Sequence, residues 1–200
     1  GGVVMATATD MTRALDVTHK AFDTWSLSPA NTRADILSRT ADLMEENMAE
    51  LMALCVREAG KTLPDALAEV REAVDFCRYY AVEGRKHFGH GLTLPGPTGE
   101  SNQLFLEGRG VFLCISPWNF PLAIFIGQIA AALMAGNTVI AKPAEQTPLI
   151  AQYAIQLLFK AGLPPETLAF LPADGALAGK TLLGDVRIAG VAFTGSTEVA

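Results

Sequence analysis

From Gly110 to Ala141 the chain runs without one charged side chain. Such a run has two homes: a lipid bilayer, or a protein interior covered on every side. A spanning helix needs about 20 consecutive apolar residues. Here Pro117, Asn119 and Pro121 interrupt the run and Gly136-Asn137 closes it, leaving a helix from about Leu122 to Ala135. That helix is too short to span, and no Lys/Arg cluster flanks it. An internal run is no signal peptide either. It reads as a strand, a loop and a helix buried in a folded core.

The residues around it carry the same texture onward. Val111–Ser116, Thr138–Ala141, Leu168–Leu171 and Ile188–Phe193 are short apolar runs, as expected of strands covered on both faces. Helical stretches near Leu122–Ala135, Pro148–Ala161 and Gly175–Leu183 separate them, with Gly162-Leu163-Pro164 as a helix stop. This order predicts an α/β fold with a doubly wound, Rossmann-like parallel sheet over residues 111–200, preceded by a helical N-terminal region over 1–91. In that region Ser28-Pro29 starts a helix whose apolar face is Ile36, Thr40, Leu43, Met44, Met48, Leu51, Met52 and Cys55, and Gly60 ends it. Thr62 and Asp65 cap the next helix, whose apolar face is Leu67, Val70, Val74, Cys77 and Ala81. Residues 92–110 read as loop and strand, a candidate oligomerisation element over Gln103–Gly110.

Composition excludes several classes. Two hundred residues make about one domain, and 50% hydrophobic against 18% charged side chains rules out disorder. A net charge of −6 argues against nucleic-acid binding, which needs a basic face. Three cysteines (Cys55, Cys77, Cys114), odd in number and without metal spacing, point to a reducing compartment. His87 and His90 lack a third ligand and read as surface residues.

Three nucleotide-binding look-alikes need weighing. Gly108-Arg109-Gly110 precedes a strand where the dinucleotide fingerprint must follow one. Gly60-Lys61-Thr62 sits between two helices. Gly175 to Gly179-Lys180-Thr181 follows a strand and opens a helix, but has three residues between its glycines where a phosphate loop has four. A phosphate-loop nucleotide hydrolase using Gly179-Lys180-Thr181 therefore stands as a rival reading, and a non-catalytic interaction module as another.

Polar residues at successive strand ends form the main candidate site, because open α/β sheets bind ligands there. The first strand runs into Pro117-Trp118-Asn119-Phe120-Pro121, whose prolines are expected to hold the Asn119 amide rigidly, as an oxyanion donor requires. The second ends in Lys142-Pro143-Ala144-Glu145, a cation and a carboxylate. The fourth ends in Thr194-Gly195-Ser196-Thr197-Glu198, expected at a helix N-terminus that suits a phosphate. Each alone has an ordinary structural explanation as a turn amide, solvated charges or an N-cap.

These segments, Ser116-Pro117-Trp118-Asn119-Phe120-Pro121, Lys142-Pro143-Ala144-Glu145-Gln146-Thr147-Pro148 and Phe193-Thr194-Gly195-Ser196-Thr197-Glu198-Val199, resemble the aldehyde dehydrogenase superfamily. Ala161-Gly162-Leu163-Pro164-Pro165 agrees as well. Val56–Thr62, Glu72–Tyr80 and Gly96–Asn102 resemble most the glutamate-semialdehyde (pyrroline-5-carboxylate) dehydrogenase domain of bacterial bifunctional proline-utilisation proteins. The resemblance implies a partial aldehyde dehydrogenase fold, NAD as cofactor, a small aldehyde as substrate and a bacterial cytoplasmic setting. FAD enters only if a proline dehydrogenase domain precedes the chain.

The resemblance also implies roles. Asn119 stabilises the substrate oxygen. Lys142 and Glu145 bind the adenosine ribose, and Glu145 favours NAD over NADP by repelling a 2′-phosphate. Gly195 and Ser196 meet the pyrophosphate, with Phe193 and Thr194 beside them. Trp118, Pro143, Ala144 and Gly175 shape the pocket, Ile115, Ser116 and Pro117 line the nicotinamide end, and Glu69 lies near the substrate mouth. The family's nucleophilic cysteine and general-base glutamate fall beyond residue 200. Accordingly the chain is expected to be a fragment, with Gly1-Gly2 as a boundary, inactive alone and joined to the rest of a homo-oligomeric parent polypeptide. Ala200 departs from the glycine many members carry.

Overall fold

A computed structural model describes residues 3–198. Gly1, Gly2, Val199 and Ala200, and the expectations that fall on them, lie outside the described residues. Helix α1 (Ala8–Trp25) opens on a reciprocal cap. The Thr7 hydroxyl accepts the Asp10 N–H, and the Asp10 carboxylate accepts the Thr7 N–H at 2.9 Å. Its buried stripe is Met11, Leu15, Thr18, Ala21 and Trp25, the spacing of a single helical face.

The long helix expected from Ser28-Pro29 to Gly60 is two helices, α2 (Ala30–Glu46) and α3 (Met48–Ala59). Asn47 makes the break. Its amide donates to the Leu43 carbonyl at 2.7 Å, and its Oδ1 accepts from the Tyr153 hydroxyl at 3.0 Å. The apolar spacing carries through a bend, which hides the break from periodicity. Ser28 does not cap α2, because its hydroxyl turns back to the Trp25 carbonyl at 2.6 Å. Gly60 ends α3 in the left-handed region at φ 66°, and Thr62 caps α4 (Leu63–Phe88), both as the sequence predicts.

Strands β1 (Leu92–Leu94) and β2 (Asn102–Leu104) form an antiparallel hairpin. Pairing stops at Leu104, so the strand expected over Gln103–Gly110 is confined to its first residues. Phe105 and Leu106 lie exposed beyond it.

The rest alternates as expected: β3 (Val111–Ile115), α5 (Ala123–Met134), β4 (Thr138–Lys142), α6 (Pro148–Lys160), β5 (Leu168–Phe170), α7 (Gly175–Leu182) and β6 (Ile188–Phe193). Among the described residues these strands make one parallel sheet in the order β5-β4-β3-β6. Val111, Leu113 and Ile140 point to the face covered by α1 and α7. Cys114, Val139 and Ala141 point to the other, where α5 and α6 lie beneath α2, α3 and α4. Both faces are thus buried, which explains the uncharged run. After β5 the chain returns to place β6 on the far side of β3, so the direction of winding reverses between β3 and β6. Crevices of this fold class open at such a reversal. Among the described residues no helix is long and apolar enough to cross a membrane.

Candidate functional site

Strand β4 delivers Lys142 at its last residue, and the side chain stays inside the protein at 6% exposure. Its Nζ donates to the Pro143 carbonyl at 3.2 Å and lies 3.9 Å from Glu145 Oε1. Burial pushes its pKa below the ordinary lysine value, while the Glu145 and Asp174 carboxylates pull it back up. Glu145 is exposed, and its Oε1 accepts the Gly175 N–H at 2.9 Å. Asp174 caps the same helix by accepting the Leu177 N–H at 2.8 Å. Tertiary structure thereby joins Lys142, Glu145 and Gly175, with Pro143 buried and Ala144 half-buried between them.

Ser116 adjoins this cluster. Its N–H donates to the Lys142 carbonyl at 3.2 Å, and its buried hydroxyl has no partner. Ile115 and Pro117 are half-buried, and Trp118 is exposed. On the other side the Thr194 N–H donates to the Ile115 carbonyl at 3.1 Å, bringing the end of β6 alongside with Phe193 half-buried. Gln128 of α5 completes this junction and was not foreseen. Its amide donates to the Ile115 carbonyl at 3.2 Å and to the Thr194 hydroxyl at 3.1 Å. A lone polar residue within the uncharged helix was the available signal.

At the end of β6, Thr194, Gly195 and Ser196 lie exposed, with a bend at Gly195 and a turn at Thr197–Glu198, where the described residues end. The helices that follow β3, β4 and β5 are all closed by carboxylates. Glu69 caps α5, Glu58 caps α6 through the Leu149 and Ile150 N–H groups at 2.8 and 2.9 Å, and Asp174 with Glu145 caps α7. These acidic caps complement the positive helix ends and remove them as anion seats.

Asn119 lines a different cavity, of about 390 Å³, shared with Lys61, Glu69, Glu72 and Phe120. Its side chain is exposed. What holds this loop is not the asparagine amide but the residues after it: the Leu122 and Ala123 N–H groups donate to Glu69 Oε1 at 2.9 and 3.3 Å. Glu69 does lie at this cavity, yet its buried carboxylate is engaged by those groups and by Lys61 Nζ, 2.5 Å from Oε2. Asn119 thus meets α4 and the Gly60–Thr62 turn, while Lys142, Glu145 and Gly175 meet one another.

The rival phosphate loop fails on geometry. Gly179-Lys180-Thr181 lies inside α7, where backbone groups belong to the helix. Among the described residues no cluster of three metal-ligating side chains occurs, and His87 pairs with Glu83 at 3.1 Å. Cys55, Cys77 and Cys114 are buried and unpaired, and burial pushes each thiol up to about 12. None is poised as a thiolate nucleophile.

Comparison with known proteins agrees along the whole chain. Residues 1–200 match the aldehyde dehydrogenase family. The bifunctional protein PutA of Escherichia coli K12 is 50% identical over 200 residues, which are 100% of this chain and 14% of that protein. A crystal structure of Bradyrhizobium japonicum proline utilization A (PutA) shares 55% identity at a TM-score of 0.95, covering 98% of this chain and 20% of the other. The 1-pyrroline-5-carboxylate dehydrogenase from Thermus with bound NAD shares 38% identity at a TM-score of 0.94, covering 98% of this chain and 38% of that one.

Proposed function

The chain belongs to the aldehyde dehydrogenase family, and from that premise we propose that it is part of an NAD-dependent enzyme oxidising L-glutamate γ-semialdehyde to L-glutamate in proline catabolism. The kinship with PutA and 1-pyrroline-5-carboxylate dehydrogenase supports the substrate, and a relative carrying NAD supports the cofactor. The observation that carries the reading is the convergence of Lys142, Glu145 and Gly175 past the carboxyl ends of β4 and β5, with Ser116 alongside at the end of β3.

These residues suit a dinucleotide. The Ser116 hydroxyl is buried without a partner, and the Lys142 ammonium, with three donors, has one carbonyl within hydrogen-bonding distance. Lys142 and the exposed Glu145 carboxylate would hold ribose hydroxyls, and a carboxylate there disfavours a 2′-phosphate. Pro143, Ala144, Trp118 and Gly175 would shape the adenosine side. Ile115, Ser116 and Pro117 would line the nicotinamide end, and Phe193, Thr194, Gly195 and Ser196 the pyrophosphate path. NAD, when bound, supplies the hydride acceptor.

The Asn119 amide would donate to the aldehyde oxygen as it becomes anionic, which is worth most when the donor is already aimed. The reaction also needs a thiolate nucleophile and a general base. The three cysteines here are unsuited, so the nucleophile is assigned to polypeptide outside these 200 residues, and the family resemblance assigns the general base there with it. Residues 1–91 and 111–200 form one cofactor-binding unit in this reading, and the β1–β2 hairpin contributes to a homo-oligomer. Unpaired buried cysteines support a reducing, cytoplasmic setting.

Calorimetric titration of NAD into the full polypeptide tests the assignment. Lys142→Met and Glu145→Gln each weaken binding about tenfold, the scale of one lost hydrogen bond to a charged group. Glu145→Gln also narrows the preference over NADP. Unchanged affinity in both variants would refute the site.

A further inference from the structure

We propose that Glu69, backed by Lys61, is a positioning residue that sets the Asn119 loop, a role that rests on the function proposed above. The loop between β3 and α5 contains Pro117 and Pro121, which have no N–H to anchor it internally. It is tied instead at its ends. At the start the Ser116 N–H donates to the Lys142 carbonyl, and at the finish Glu69 Oε1 accepts two successive N–H groups, Leu122 at 2.9 Å and Ala123 at 3.3 Å. The second tie lies three residues past Asn119.

Glu69 comes from α4, and its side chain is wholly buried. A buried carboxylate is costly unless it is paired and hydrogen-bonded, and both conditions are met. Lys61 Nζ sits 2.5 Å from Oε2 and 4.0 Å from the centre of the Phe120 ring. One ammonium thus joins the cap to the residue next to Asn119. Lys61 itself is delivered by the left-handed turn at Gly60 that separates α3 from α4. A cation, a carboxylate and two backbone donors fix the loop from below, while Asn119 and Phe120 remain open to the cavity above. A donor displaced by about 1 Å can cost on the order of a hundredfold in rate.

The test compares Glu69→Ala and Glu69→Gln in the full polypeptide. Hydrogen exchange of the segment covering 116–126 is read alongside steady-state oxidation of the semialdehyde. Glu69→Ala accelerates exchange at Leu122 and Ala123 about tenfold or more and lowers kcat about 30- to 100-fold, with NAD affinity within about twofold of wild type. Glu69→Gln keeps an acceptor oxygen and restores protection and most of kcat. Faster exchange with unchanged kcat overturns the positioning role. So does a joint loss of kcat, NAD affinity and thermal stability without rescue by glutamine. If the wild-type polypeptide oxidises no semialdehyde, the proposed function fails separately. In that case unaltered exchange in Glu69→Ala overturns the loop-setting role by itself.

Discussion

Glu58 offers a demanding test of how the helical layer supports the sheet. It sits in the last turn of α3 and reaches the start of α6, where its two carboxylate oxygens accept the Leu149 and Ile150 N–H groups at 2.8 and 2.9 Å. Those donors belong to the first turn of a helix, and they follow the Lys142–Thr147 segment directly. In Glu58→Ala both lose a charged acceptor and the positive helix end loses its complement. Hydrogen bonds to charged groups contribute about 1.5–3 kcal/mol each when buried. Glu58 is half-buried, so water replaces part of each, and about 1 kcal/mol apiece is reasonable, with about 0.5 kcal/mol more from the helix dipole. Alanine is no worse a helix former than glutamate, so propensity adds no further loss. The total is about 2–3 kcal/mol. With an m-value of about 2 kcal/mol/M, the urea midpoint falls by about 1–1.5 M. Fluorescence of buried Trp25 reports the transition, with exposed Trp118 as background. Glu58→Gln keeps one strong acceptor and shows about half the loss. A Glu58→Ala midpoint equivalent to less than about 0.5 kcal/mol would refute the idea that this cap carries weight, since ordinary surface changes lie within that range.

Other outcomes follow from the same geometry. With thiols held up to about 12 against an ordinary 9.0, the folded chain favours their neutral form. Their contribution to stability is complete below about pH 9 and is lost as pH rises toward about 12. At pH 8 a thiol reagent leaves the native chain unlabelled and reacts with all three cysteines in denaturant; fast native labelling contradicts the burial. The groove of about 530 Å³ lined by Phe76, Tyr80, Phe112, Ile124 and Ala192, together with exposed Leu92, Leu94, Leu104 and Phe105, predicts concentration-dependent association of the 200-residue chain in sedimentation velocity. A monodisperse monomer counts against that. The same chain should turn over no semialdehyde with NAD, and measurable turnover removes the argument from its cysteines.

What proved legible along the chain is what neighbouring residues encode. Strand and helix limits from Val111 to Phe193 agree with expectation to within a residue or two, because apolar runs, glycine stops and prolines act locally. The turn at Gly60-Lys61-Thr62 and the Thr62 cap of α4 were readable for the same reason. The strand-end groups were also visible, since β4 must end near Lys142 whatever surrounds it.

The missed features depend on partners far away in sequence. Asn47 breaks a periodic helix by meeting Tyr153, and Gln128 joins Ile115 to Thr194. Glu58 and Glu69 look like surface glutamates on their own helices, yet they cap α6 and α5 some 91 and 53 positions on. By itself the sequence determined which segments become strands and helices and which polar groups end at the sheet's carboxyl edge. Only tertiary structure decided which residues they meet: Lys142 and Glu145 with Gly175, and Asn119 with α4 and the Gly60–Thr62 turn. The reason is physical: a helix end left with unpaired N–H groups takes whichever carboxylate packing brings to it, and no local pattern records which one that is.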